Sequence, residues 1–125
     1  MPLNRPTELD AYDVEALVWY LSTAQGGRKA FIESGCWGRF HYEGADWEAR
    51  QYFQDPPFVL PGENRMVKFS FLSPEEHVGR LVVGTVFLLR EGLRVIGYGR
   101  VTAILHLDHH AQERMTLLEL QTRPG

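Results

Sequence analysis

Hydrophobic and polar residues alternate with a period of two along much of this chain, which is typical of β-strands with one buried face. The clearest case is residues 66–72, where Val67, Phe69 and Phe71 share one face. Residues 14–21 are ambiguous by residue preference, because Glu, Ala and Leu favour a helix whereas Val, Trp and Tyr favour a strand. We interpret this segment as a strand as well.

Residues 81–89 and 93–104 predict a hairpin that turns at Glu91-Gly92. The first segment is almost continuously apolar, which is typical of a strand buried on both faces or of one whose outer face meets a partner. The second segment carries small residues on one face, and these are Val95, Gly97, Gly99, Val101 and Ala103. Its other face carries Arg94, Ile96, Tyr98, Arg100 and Thr102. A face of small residues suits the interior of a small closed barrel.

Shorter patterns predict the remaining elements. Residues 28–33 would return beside residues 14–21 after a Gly26-Gly27 turn, and residues 39–42 and 47–53 are further strand candidates. The run Ser73-Pro74-Glu75-Glu76 has the form of a capping box with proline at the first helical position, so we expect one helical turn there.

The C-terminal residues carry a helical pattern. Asp108 is a candidate N-cap, and Ala111, Met115 and Leu118 fall on one face. The fold we predict is therefore all-β, a small closed antiparallel β-barrel with a short C-terminal helix. We divide the chain into an N-terminal arm at 1–13, a barrel at 14–106 and a C-terminal extension at 107–125.

Composition narrows the class of protein. The 125 residues suffice for one domain with its own core, and 44% of them are hydrophobic. A net charge of −3 disfavours a non-specific nucleic-acid binder, which usually has a basic excess. A single cysteine, Cys36, fits a reducing compartment. Because no long apolar run occurs, we expect a cytoplasmic protein that does not bind membranes.

Candidate chemistry is sparse. We expect no nucleotide cofactor, because no phosphate-binding loop of the P-loop form is present. Cys36 and His41 are five residues apart, a spacing that puts a thiol and an imidazole on opposite faces of a strand. These patterns predict a protein that is not an enzyme.

The best metal candidates lie at the start of the C-terminal extension: His106, Asp108, His109 and His110. If the strand continued, His106 and Asp108 would share a face, and either following histidine would add a ligand. The alternative is an exposed polar tail, which we favour because no cysteine or Glu-x-x-His pattern accompanies these residues.

Two groups of residues fit either a binding surface or ordinary packing. Trp19, Trp37, Trp47 and Tyr98 would form an aromatic binding surface, but core and edge packing explain them equally well. Arginines at positions 39, 90, 94 and 100 would form a basic stripe or simply a solvated face.

Several short motifs occur in an order that resembles a known family, the C-terminal β-barrel of translation elongation factor Tu. They are residues 18–22 (VWYLS), 26–28 (GGR), 39–42 (RFHY), 60–64 (LPGEN), 90–92 (REG) and 95–99 (VIGYG). The resemblance spans about residues 14–105 and implies a small antiparallel barrel. In that factor the GTPase is a separate domain, and this chain has no room for one beside the barrel.

The resemblance also implies partners. In the family this barrel packs on sister domains and an exchange factor, and it contacts the T-stem of tRNA. The T-stem contacts fall on Arg39, Glu48 and Glu91 of this sequence, and only Glu91 keeps the family's residue type. The candidate nucleic-acid-binding residues are Arg39 and Glu91 together with the neighbouring Arg90 and Arg94.

We therefore expect a non-enzymatic module that binds another protein. The alternative is an RNA-binding module on a tRNA arm, and a metal-binding or enzymatic protein that uses residues 106–110 ranks last. We also expect residues 107–120, or a second copy in a homodimer, to cover the apolar surface of residues 81–89, since exposed apolar area promotes association.

Overall fold

The structure is a computed structural model that describes residues 12–122. Most of the predicted arm at 1–13 and the end of the predicted extension lie outside the described residues. The strands are β1 (Val14–Tyr20), β2 (Ile32–Glu33), β3 (Cys36–Tyr42), β4 (Ala45–Tyr52), β5 (Phe58–Val59), β6 (Asn64–Phe71), β7 (Val86–Glu91) and β8 (Arg94–Ile104). One α-helix follows, α1 (Leu107–Thr122), and short 3-10 turns lie at Thr23–Gln25 and Pro74–Glu76.

Six strands close into a barrel in the order β1-β6-β4-β3-β7-β8, with β8 pairing back onto β1. All neighbouring strands of the barrel are antiparallel. β2 and β5 form a separate two-stranded sheet. The predicted class, a small all-β barrel with a C-terminal helix, is thus confirmed. Within residues 12–122, no helix has the length and apolar character needed to cross a membrane.

Aromatic rings fill the barrel. Phe40 of β3 lies at their centre and stacks on Phe87 of β7, with ring centroids 3.9 Å apart. Phe69 and Phe71 of β6 meet Phe40 edge-on at 5.2 and 5.0 Å. Stacked and edge-to-face pairs of this kind add stability beyond the area that they bury. Inward residues of three strands, β3, β6 and β7, therefore pack around one ring.

Glycines in β8 make room for these rings. A Cβ atom on Gly99 would lie 2.5 Å from Cζ of Phe87 and 2.7 Å from the carbonyl oxygen of Leu17 in β1. A Cβ atom on Gly97 would lie 3.0 Å from the carbonyl oxygen of Trp19. Any side chain at position 99 would collide with both the core and the neighbouring backbone. The expectation of small residues on the inner face is confirmed for Gly97, Gly99 and Val101, which are buried.

The main sequence-predicted strands are confirmed. Residues 14–21 correspond to β1, residues 66–72 to β6 and residues 93–104 to β8. β7 and β8 pair as a hairpin around Glu91-Gly92, as predicted. The candidate at 39–42 lies within β3. The candidate at 47–53 covers most of β4 and ends one residue beyond it.

The predicted return strand at 28–33 is wrong. Only Ile32 and Glu33 are extended, and they pair with β5 rather than with β1. The reason is that both edges of β1 are already occupied, by β6 on one side and β8 on the other. The chain instead leaves the barrel through a 3-10 turn capped by Ser22, whose hydroxyl accepts a hydrogen bond from the amide of Gln25.

Residues 81–89 are a strand only in their second half. The amide of Val82 donates to Oγ1 of Thr85, the amide of Thr85 donates back to the carbonyl of Val82, and Gly84 has a φ of +96°. These bonds close a turn within the apolar run. β7 is also not buried on both faces, because Phe87 and Leu89 point inward whereas Val86 and Leu88 point outward.

Three local predictions need correction. Ile96 is buried rather than outward, because the β7–β8 register shifts at Leu89 and Arg90. The turn at Pro74–Glu76 forms, but Ser73 makes no side-chain capping bond. The helix begins at Leu107, so Asp108 lies in its first turn rather than at the N-cap. Its carboxylate still favours the helix there, through the dipole.

The first turns of α1 are fixed to one end of the barrel. Leu107 and Ala111 are buried, and Nδ1 of His110 lies 2.5 Å from Oδ1 of Asp13. The other carboxylate oxygen of Asp13 accepts a hydrogen bond from the amide of Phe71 at 2.7 Å. Burial raises the pKa of Asp13, and its hydrogen bonds to Phe71 and His110 oppose that shift. One buried carboxylate thus joins α1, β6 and the start of β1.

We expect the substitution Gly99→Ala to lower the free energy of unfolding by about 2 kcal/mol or more, because the new methyl group overpacks the core against Phe87 and the backbone of Leu17. Urea denaturation monitored by tryptophan fluorescence measures this loss. The exposed neighbour substitution Arg100→Ala is the control and should change stability by less than about 0.5 kcal/mol. Equal stability of the two variants would contradict the packing described for β8.

Candidate functional site

Outward-facing side chains of β6, β1, β8 and β7 form two rows across the barrel, and the second row continues into β3. The register places Met66, Leu17, Arg100 and Val86 side by side in the first row. The second row runs Asn64, Trp19, Tyr98, Leu88 and His41. We call six of these residues the outer patch: Leu17, Trp19, Met66, Val86, Leu88 and Tyr98.

The centre of the outer patch is an aromatic pair. The rings of Trp19 and Tyr98 stack with centroids 5.3 Å apart and an interplanar angle of 15°. Tyr98 nevertheless remains 44% exposed, and its neighbour Leu88 is exposed as well. Cross-strand aromatic pairs stabilise a sheet surface. The patch is therefore a preformed surface on strands rather than on a loop.

A positive charge lies within this apolar surface. Arg100 stands between Leu17 and Val86 in the first row and is exposed. Among residues 12–122 it has no ion-pair partner. Ion pairs occur at the edges of the patch instead, where Lys68 lies 3.8 Å from Glu15. Arg100 is thus the charged group that a partner docking on the patch would meet.

The C-terminal helix does not cover the outer patch. Val86 is 58% exposed and Met66 is 47% exposed. Val82 and Val83, in the turn before β7, are also exposed. The expectation that residues 107–120 cover the apolar run 81–89 within one chain is therefore wrong for these residues. The physical reason is that α1 is held at the turn Pro74–Glu76, where Arg114 lies 3.5 Å from Glu75.

The structure brings together two of the arginines predicted to contact nucleic acid. Arg39 of β3 and Arg90 of β7 are cross-strand neighbours. Each lies beside a carboxylate, with Nε of Arg39 3.8 Å from Glu48 and Nη1 of Arg90 3.2 Å from Asp46. These acids neutralise the pair and would repel a phosphate.

The other two candidates lie at the β7–β8 turn. Glu91 forms an ion pair with Arg28, at 3.3 Å. Arg94 faces Glu91 across the turn, is exposed and has no ion-pair partner among the described residues. Arg94 and Arg100 are therefore the arginines of the predicted stripe that keep an uncompensated charge.

The histidine-rich segment is divided between different contacts. Nε2 of His109 lies 2.9 Å from Glu113 on the surface of α1, and His110 turns toward Asp13. The ring centroids of His106 and His109 are 6.1 Å apart. Nowhere in residues 12–122 do three or more His, Cys, Asp or Glu side chains gather in a way that would hold a metal ion.

Cys36 and His41 lie apart, as their spacing predicts. Cys36 packs against the core cluster. His41 points outward, and its Nδ1 lies 2.8 Å from Oδ1 of Asp46. The structure therefore does not pair this thiol with an imidazole.

The four aromatic residues that the sequence assigned to either a binding surface or packing lie in different places. Trp19 and Tyr98 join in the outer patch. Trp37 is exposed on β3, where Arg50 lies 4.8 Å over its ring. Trp47 packs against the core. Sequence reasoning did not place Leu17 and Met66 in the patch. The usable signal was alternation, because each directly precedes a buried residue, Val18 in β1 and Val67 in β6.

A buried polar cluster, which the sequence did not reveal, lies beside the turn at Pro74–Glu76. His77 is fully buried and its Nδ1 lies 2.5 Å from the hydroxyl of Tyr42. Its ring meets Trp47 edge-on at 4.8 Å. Arg80 lies 5.5 Å over the Trp47 ring and forms an ion pair with Glu43 at 3.1 Å. A loop histidine carries no pattern that predicts such burial.

The charge state of His77 follows from its surroundings. Burial, and secondarily the nearby Arg80 guanidinium, lowers the pKa of His77 from 6.5 to about 4. The ring is therefore neutral at pH 7. Among the described residues, Nε2 of His77 and Nε1 of Trp47 are buried without hydrogen-bond partners. The His77 ring is thus buried among the rings of Tyr42, Trp47 and Phe71 rather than exposed in an open site.

The fold and the outer patch define a small closed antiparallel barrel with an exposed aromatic and apolar face. No protein-family model matches this chain.

The buried His77 predicts a loss of stability in mild acid. Its pKa is lower in the folded chain, about 4, than in the unfolded chain, 6.5, so the unfolded state takes up a proton first as the pH falls below 6.5. The contribution of His77 is complete above pH 6.5 and is lost as the pH falls toward 4. Between neutral pH and pH 5 the loss is about 2 kcal/mol.

Urea denaturation at several pH values measures this effect, and the substitution His77→Gln removes it. We expect the variant to lose about 2 kcal/mol less than the original chain over the same pH interval. Comparing the two chains cancels the titration of all other groups. Identical pH dependence would show that His77 titrates alike in the folded and unfolded states.

Proposed function

We propose that this chain is a non-enzymatic β-barrel module that binds another protein through the outer patch. The observation that carries the proposal is the stacked Trp19–Tyr98 pair, which lies exposed among aliphatic residues on rigid strands. Aromatic residues and arginine are enriched at protein interfaces, where a few of them supply most of the binding energy. Arg100 is the arginine of this surface.

The chemistry of the patch limits the partner. Apolar side chains of the partner would cover Val86 and Leu88, and an aromatic or aliphatic group would pack on Tyr98. A carboxylate of the partner would meet Arg100, which otherwise would lose its water without gaining an opposite charge. The partner surface is therefore apolar with at least one acidic residue.

Protein is favoured over RNA by the same geometry. The arginines at positions 39 and 90 each lie beside an acid, and the chain has a net charge of −3. An RNA partner gains most of its affinity from phosphate contacts with uncompensated basic residues. Of the four arginines in the predicted stripe, Arg94 and Arg100 keep an uncompensated charge. Two such residues supply few of the phosphate contacts that RNA binding needs.

The resemblance to the C-terminal barrel of elongation factor Tu supports the same proposal. In that family the barrel surface packs against other protein domains. We therefore propose a translation-related, cytoplasmic role in which a separate protein takes the place of those domains. The phosphate-binding loop missing from the sequence supports the non-enzymatic part of the proposal.

Photo-cross-linking in the native cell tests the proposal. Replacing Tyr98 with p-benzoylphenylalanine puts the cross-linker in the outer patch. Replacing Trp37, which is 43% exposed, puts it on a surface of matched exposure outside the patch. We expect a discrete adduct from position 98 that ribonuclease leaves intact. It should weaken at least tenfold when Arg100→Glu is added.

Two outcomes would contradict the proposal. One is an adduct of equal yield from positions 37 and 98, which would show that the outer patch has no preference for a partner. The other is an adduct from position 98 that ribonuclease removes. Salt-dependent retention of the purified chain on a tRNA column would then point to the RNA-binding alternative.

A further inference from the structure

We infer that the occupant of the outer patch is helix α1 of a second copy of this chain, in a two-fold dimer. The inference rests on the proposed function, because it takes the outer patch to be a protein-docking face. What it adds is the partner: the chain itself carries an exposed helical ridge whose chemistry matches that of the patch.

The ridge consists of Glu113, Leu117 and Leu120. These residues are spaced four and three apart, so they lie on one face of α1. Leu107 and Ala111, the buried residues of the helix, lie on the opposite face. Leu117 is 55% exposed and Leu120 is 57% exposed. The helix thus uses one face to hold its own barrel and presents a second apolar face to solvent.

The outer part of α1 needs such a contact for its own stability. Only Leu107 and Ala111, in the first turns, are buried. A helix segment as short as residues 112–122 is marginal in water without tertiary packing. Docking of Leu117 and Leu120 would supply the missing packing and remove apolar area from water.

The dimensions of the two surfaces agree. Residues 112–122 span about 16 Å at 1.5 Å per residue. The outer patch crosses four neighbouring strands, β6, β1, β8 and β7, which are about 14 Å wide at roughly 4.8 Å per spacing. A helix lying across the strands therefore matches the length of each row. Its diameter of about 10 Å also spans the two rows, which are two residues apart along the strands.

The charges are also complementary. Arg100 is the uncompensated charge inside the patch, and Glu113 is the charge on the ridge. Glu113 now lies 2.9 Å from His109, in an exposed pair that contributes little. The one arginine of this helix segment, Arg114, is turned toward Glu75 of its own chain. The ridge therefore presents an acid, and the patch presents a base.

The contact must form between two chains. Within one chain α1 is held at the barrel end by Asp13 and Glu75, and the outer patch stays exposed. In a two-fold dimer each helix docks on the other barrel, so the same contact forms twice. Doubling the contact raises the buried area toward that of a stable interface.

The oligomeric state of the purified chain tests the inference. Light scattering after size exclusion, over the micromolar range, should report a dimer. A ridge variant (Leu117→Glu with Leu120→Glu) and a patch variant (Leu88→Asp with Tyr98→Asp) should each weaken dimerisation at least tenfold. The matched controls should leave the dimer intact: Met115→Glu, at an exposed position on another face of α1, and Trp37→Asp on β3.

Mixing the ridge variant with the patch variant is the decisive experiment. The ridge variant keeps a working patch and the patch variant keeps a working helix, so the mixture should form a heterodimer with one intact contact. This heterodimer should be weaker than the original dimer but tighter than the dimer of either variant alone. This recovery also shows that both variants are folded. A mixture that stays monomeric, while circular dichroism shows both variants folded, would overturn the inference.

The remaining outcomes separate this inference from the proposed function. A monomeric original chain, or a dimer that the ridge variant leaves intact, would overturn the role of α1. If the cross-linker at position 98 still captures a different protein, the outer patch remains a docking face with another occupant. An adduct at twice the mass of the chain, lost in the ridge variant, would support the inference.

Discussion

The close approach of β8 to its neighbours at Gly99 is the constraint on which the barrel depends. Because this position has no Cβ atom, the ring of Phe87 lies against the backbone of β8 and still stacks on Phe40 at 3.9 Å. The same gap lets β1 approach, with the carbonyl of Leu17 where a side chain would otherwise stand. Closure of the barrel and packing of its core therefore both depend on Gly99.

That constraint also creates the outer face. Side chains alternate along a strand, so glycines at positions 97 and 99 inside require Tyr98 and Arg100 outside. The register set by closure puts Tyr98 beside Trp19, and the stacked pair follows. The strands that place glycine and phenylalanine inside the barrel thus place aromatic and aliphatic residues on its outer surface. The outer patch and the core are two sides of the same strand pairing.

Sequence patterns predicted the parts of this fold that local rules control. The alternation at Val67 and Phe69 and the turn at Glu91-Gly92 are such cases, and both are confirmed. The turn that ends at Thr85 was hidden within an apolar run, because it depends on a single hydroxyl and on a φ that composition does not show. The position of Ile96 depends on a register shift between strands, which no local pattern reports.

The same limit applies to the candidate site. The sequence offered Trp19 and Tyr98 as surface or core, and only the long-range pairing of β1 with β8 decides between these alternatives.

Hydroxyl-radical footprinting of the chain in its native cell, compared with dilute purified protein, tests most directly whether the outer patch is a protein interface. We predict that Tyr98 and Met66 are oxidised several-fold less in the cell than in dilute solution, whereas Trp37 is oxidised equally in both. Equal oxidation of Tyr98 and Met66 under the two conditions would contradict it, because an occupied patch cannot remain fully accessible to solvent.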